Sequence, residues 1–76
     1  MSNDDDIAQR FGVRIRRLRE AKIWNQERMP AEAGIHRSYL AGIESGRRNP
    51  SLQNIAKIAK ALGVPIASLF DQPDDD

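Results

Sequence analysis

The chain has no cysteine, one histidine, one tyrosine, one tryptophan and two phenylalanines. Without cysteine there are no disulfides and no thiolate chemistry. A secreted domain of 76 residues would ordinarily need such staples. One histidine supplies no metal cluster, so neither metal nor cofactor is expected. So few aromatic rings leave no stacking platform of the kind that holds single-stranded RNA. No apolar run approaches the roughly 20 residues of a membrane span. The opening "MSNDDD" is acidic rather than basic and apolar, so no secretory leader is expected. The expected compartment is the cytoplasm. This length allows one domain with a thin core, since such domains bury only about 60% of their chain surface.

Acid is scarce in the middle of the chain. Asp4, Asp5, Asp6, Asp71, Asp74, Asp75 and Asp76 lie at the two ends. Between Ile7 and Phe70 the acids are Glu20, Glu27, Glu32 and Glu44. All twelve Arg and Lys stand in that span against those four, so the body carries +8. A basic body of this density points to a polyanionic partner. The alternative is a solvated surface balanced by its own tails. The organisation expected is an acidic N-terminal tail at 1–6, a domain at 7–70 and an acidic C-terminal tail at 71–76.

The rest of the chain reads as helix. Ile7, Phe11, Ile15 and Leu18 recur at helical spacing behind Asp6, a plausible cap, and predict a helix over about 7–22. Asn25 caps a second helix over 26–33, stopped at Gly34. Pro30 falls inside it, where a proline removes a hydrogen bond, so this helix is expected to kink or start late. His36 stands at the cap of a third helix over 37–45, with Leu40 and Ile43 inward and Gly46 at its end. Ser51 caps a fourth over 52–62, with Leu52, Ile55, Ile58, Ala59 and Leu62 in period and Gly63 as the stop. Pro65 suits the start of a fifth over 65–70. The fold class expected is all-α. Trp24 is read as core or rim packing.

Asn25 to Gly46 reads as helix, turn and helix. The stretch "NQERMPAEAGIHRSYLAGIESGRRNPSLQNIAKIAKALGV" closely resembles the five-helix DNA-binding domain of phage repressors and related bacterial regulators. Within that group, "HRSYLAGIESGRRNPSL" looks most like the small controller proteins of restriction–modification systems. Gln26, Gly34, Tyr39, Ile43, Glu44, Gly46, Asn49 and Pro50 all stand at family-like spacing.

The resemblance implies that the second motif helix enters the major groove with its N-terminal residues on base edges. Those residues are His36, Arg37, Ser38 and Tyr39. Arg37 is the strongest reader, because a guanidinium can bond guanine O6 and N7 together. Phosphate contacts are expected from Asn25 and Gln26 at the start of the first motif helix, where free N–H groups attract anions. Others are expected from Arg47, Arg48 and Asn49 beyond the second. Arg17, and secondarily Arg14, are candidates on the first helix. The resemblance also implies a partly buried Arg19–Glu44 ion pair that is structural. At Ala41 and Gly42, where such helices often carry a further reading side chain, there is almost none.

The function expected is a sequence-specific DNA-binding transcription regulator. One short helix reads few base pairs, so a homodimer on a pseudo-palindromic operator is expected, joined through Ile66, Leu69, Phe70 and the outer face of the fourth helix. RNA polymerase is a further candidate partner, and no small-molecule ligand is expected. Two other classes compete. One is an antitoxin or similar protein-interaction module, for which the chain shows no extra partner-binding segment; a prophage-type repressor is a variant of the leading reading. The other is an enzyme, for which His36 would need a nucleophile, and Ser38, two residues away on a helix, does not face it.

Overall fold

A computed structural model describes residues 3–70, and the acidic stretch 71–76 lies outside them. Four α-helices follow one another: α1 (Asn3–Ala21), α2 (Arg28–Ala33), α3 (Arg37–Glu44) and α4 (Leu52–Leu62). A 3₁₀ helix, Ile66–Phe70, closes the described chain. No strand occurs among the described residues. The all-α class stands, with one correction: the fifth element is 3₁₀ rather than α. The Ser68 amide donates to the Pro65 carbonyl at 2.9 Å, the three-residue reach of a 3₁₀ turn.

The helix ends follow local chemistry. Ser51 accepts the Asn54 amide at 3.1 Å, and Gly63 takes a left-handed conformation, so α4 has the limits its sequence predicts. Among the described residues α1 runs back to Asn3, so Asp6 lies within the helix rather than at its cap. No glycine or proline stands there to stop the helix. α2 starts late, at Arg28. Asn25 Oδ1 accepts the Glu27 and Arg28 amides at 3.0 and 2.8 Å, and Pro30 becomes the third helical residue. An amide there has no partner within the helix, so proline costs no hydrogen bond. His36 occupies the cap position of α3 but makes no capping bond through its side chain.

α1 ends less comfortably. The Trp24 amide reaches the Arg19 carbonyl and the Ile23 amide the Glu20 carbonyl, which places Ile23 in the left-handed position of the cap, at φ 60°. A β-branched residue is strained there. Its side chain gains nothing in return, being 88% exposed.

The core joins Phe11 and Ile15 of α1, Met29 of α2, Leu40 and Ile43 of α3, Ile58 and Leu62 of α4, and Leu69 of the 3₁₀ helix. α1 packs on α3 and the 3₁₀ helix, and α2 packs on α4. Leu52, expected inward, is largely exposed, because the first turn of α4 overhangs the core. Leu69, expected at a dimer interface, is fully buried within the monomer, whereas Ile66 and Phe70 remain half-exposed. Trp24 packs at the rim, its ring flanked by Lys22 Nζ at 5.0 Å and Arg28 Cζ at 4.9 Å from the centroid. No described helix is long and apolar enough to cross a membrane.

Candidate nucleic-acid interface

α3 is divided lengthwise. Leu40, Gly42 and Ile43 are buried, while His36, Arg37, Ser38 and Ala41 are exposed and Tyr39 is half-buried. The buried side fixes the helix, which leaves the N-terminal residues to face solvent together. Arg37 Nη1 lies 3.7 Å from Glu27 Oε2, with both side chains about two-thirds exposed. A pair so open to water is worth little, so Arg37 can exchange it for another anion at small cost.

α3 is held at its far end by charge. Arg19 Nε and Nη2 donate to Glu44 Oε2 and Oε1 at 2.7 and 3.0 Å, and Nη1 donates to the Trp24 carbonyl at 2.8 Å. Both side chains are nearly sequestered, at 6% and 5% exposure. The hydrogen-bonded Glu44 carboxylate holds the Arg19 pKa above its ordinary value, against the opposing effect of burial. Gly12 brings α1 against the same end. A Cβ there would overlap the Ile43 carbonyl oxygen and lie 2.7 Å from that of Glu44. Backbone therefore meets backbone, and only glycine leaves room.

The "GRRNP" loop folds back onto α3. Gly46 turns at φ 82°, and the Arg47 and Arg48 amides both donate to the Gly42 carbonyl, at 2.9 and 3.1 Å. Ser45 Oγ donates to that same carbonyl at 3.1 Å and accepts Arg47 Nε at 3.2 Å. Arg48 lies over α3 with Cζ 5.7 Å from the Tyr39 ring centroid. Asn49 is exposed and lines a shallow groove with Ile7, Phe11, Pro50, Ile55 and Phe70.

The other expected contacts fare unequally. Gln26 and Arg17 are exposed. The Asn25 amide oxygen is engaged in capping, leaving its NH₂ as the available donor. Arg14 serves the fold, since its Nε donates to the Ser68 carbonyl at 3.0 Å and ties α1 to the 3₁₀ helix. The structure thus brings Arg48, from the loop, over the Tyr39 end of the segment His36 to Tyr39. Sequence reasoning missed why Gly42 is glycine. The available signal was a helix-interior glycine six residues before a long arginine.

A model of the helix-turn-helix family matches residues 15–69. The control protein C.BamHI of Bacillus amyloliquefaciens is 47% identical over 62 residues, covering 80% of this chain and 76% of the relative. The control protein C.MunI of Mycoplasma sp is 40% identical over 67 residues, covering 87% and 90%. Among solved structures, the restriction-modification controller protein C.AhdI from Aeromonas hydrophila superposes with a TM-score of 0.81. It is 46% identical, with 86% of this chain and 97% of that one covered.

Proposed function

The chain belongs to the helix-turn-helix family, and from that premise we propose that it is a sequence-specific transcription regulator that lays α3 in the major groove of DNA. The observation that carries this reading is the division of α3, with Leu40 and Ile43 anchored inward and Arg37 and Ser38 exposed side by side. In this reading Arg37 reads guanine, while Ser38, Tyr39 and His36 refine the choice. Gln26, Arg47, Arg48 and Asn49 hold flanking phosphates, with Asn25 and Arg17 in support.

Two copies bind a pseudo-palindrome, with half-sites about 34 Å apart or a multiple of it. Half-exposed Ile66 and Phe70, with the outer face of α4, supply the apolar contact between copies, and buried Leu69 backs them from within. Likeness to control proteins supports a role as controller of a restriction–modification system, in the cytoplasm and without catalysis. Regulation then follows from the protein's own concentration, by covering promoter elements or by touching RNA polymerase.

Selection of bound duplexes from a random-sequence pool tests the reading. It should return a two-fold symmetric site, bound with an affinity that falls steeply with salt. Arg37→Ala should lose about tenfold or more in affinity and relax preference at one position of each half-site. Unchanged affinity and preference in that variant would refute the recognition-helix assignment.

A further inference from the structure

Gly42 sits inside α3, where glycine is a poorer helix former than alanine. Its backbone does not ask for glycine, because the positive-φ glycines are Gly34, Gly46 and Gly63. Space does. A Cβ at Gly42 would overlap Arg48 Cγ and lie 3.4 and 3.5 Å from Arg48 Cβ and Cδ. The root of the Arg48 side chain therefore rests in the gap that a methyl group would fill. The same residue holds Arg48 from the backbone side, since its carbonyl accepts the Arg48 amide. Beyond the gap, the guanidinium lies over the ring of Tyr39, one helical turn before Gly42 and on the same face.

These three residues form one device. The glycine admits the stem, the carbonyl pins the amide and the ring receives the charge. We propose that Gly42 is a positioning residue for DNA recognition, acting wholly through Arg48. Its missing side chain lays the arginine along α3, so that the charge is already placed before DNA arrives. This rests on the reading that α3 and Arg48 face DNA. It also accounts for the bare Ala41–Gly42 pair, because the side chain at that level comes from beyond the helix. Close approach of DNA to the Gly42 backbone is the competing explanation for a glycine here, but Gly42 is buried and its open side is filled by Arg48.

With Gly42 changed to alanine, Arg48 must rotate at its first side-chain bond and leave Tyr39. The test is a cycle of Gly42→Ala, Arg48→Ala and the double variant. Each is titrated against the duplex enriched by the wild-type chain from a random pool, and each is melted by circular dichroism. Arg48→Ala should weaken binding about tenfold, the loss expected when one charge-assisted contact goes. Gly42→Ala should weaken wild-type binding by a similar factor, but should change the Arg48→Ala protein by less than about twofold, because coupled residues are not additive. Gly42→Ala should also raise the melting temperature of the Arg48→Ala protein, as better helix propensity predicts once the clash is gone. If Gly42→Ala alone melts early, the double variant should recover.

Equal losses from Gly42→Ala in both backgrounds would overturn the proposal, as would a double variant that does not recover. Wild-type binding by Arg48→Ala would instead overturn the assignment of Arg48 to DNA, on which the proposal stands.

Discussion

Replacing Glu44 by alanine removes the carboxylate that neutralises Arg19 and leaves the guanidinium enclosed, with the Trp24 carbonyl as its remaining described acceptor. Breaking a buried pair from one side costs about 3–5 kcal/mol, because the surviving charge is neither solvated nor paired. A chain of 76 residues has a total stability of about 4–11 kcal/mol. The loss is therefore a large part of the whole. At about 4–8 °C per kcal/mol for domains of this size, the melting temperature should fall by roughly 12–40 °C. The raised Arg19 pKa means that its contribution is fully present below the ordinary guanidinium range. It is lost only as pH rises through the raised value, so denaturation at neutral pH captures all of it. An internal control exists. Arg16 and Glu20 form a pair at 3.3 Å with side chains 62% and 54% exposed, and Arg16→Ala should cost no more than about 0.5 kcal/mol. Urea denaturation of both variants gives the comparison. A Glu44→Ala loss below about 1 kcal/mol, within the range of exposed pairs, would refute the reasoning. The double change Arg19→Met with Glu44→Leu should be milder than Glu44→Ala, because no unpaired charge remains.

Three further outcomes are expected. Ile23→Gly should stabilise the chain by about 1 kcal/mol, as relief of the left-handed strain outweighs the added freedom of the unfolded chain; a lower denaturation midpoint would contradict this. Gly12→Ala should cost about 1–3 kcal/mol or more and weaken DNA binding as well, since α3 must move away from α1; denaturation and titration check the two effects separately. Ser51→Ala should cost about 1 kcal/mol by removing the cap of α4, with little effect on DNA affinity per folded molecule.

What could be read in advance was whatever depends on neighbours in the chain. Ser51 and Gly63 bound α4 by local hydrogen bonding and local backbone freedom, so its limits are legible. Pro30 announced a kink or a late start of α2, and the late start is what occurs. α1 lacked any such mark before Ile7, and its start was misplaced. Hydrophobic period showed that a helix has an inner face, but not where the core ends along it. Leu52 therefore looked buried and is not, while Leu69 looked available and is buried. In the candidate interface, the grouping of His36 to Tyr39 follows from their being consecutive on one helix. The engagement of Arg14 by the Ser68 carbonyl crosses 54 positions, and nothing in the local pattern announces it. Arg48 lying over α3 likewise depends on how the loop after Gly46 folds back.

The division of α3 has a consequence for descent. Its anchors are Leu40, Ile43 and Glu44, met by Gly12 and Arg19 from α1 and flanked by half-buried Tyr39, and none of them is among His36 to Ser38. Mutation can therefore work on the outward residues while the frame that aims them stays intact. On the proposed reading of α3, a lineage built on this arrangement can drift from one DNA word to another without passing through ancestors that fail to fold. Arg48 and Gly42 are the exception, since one depends on the other. A change of specificity that runs through that pair needs two steps, and their order matters.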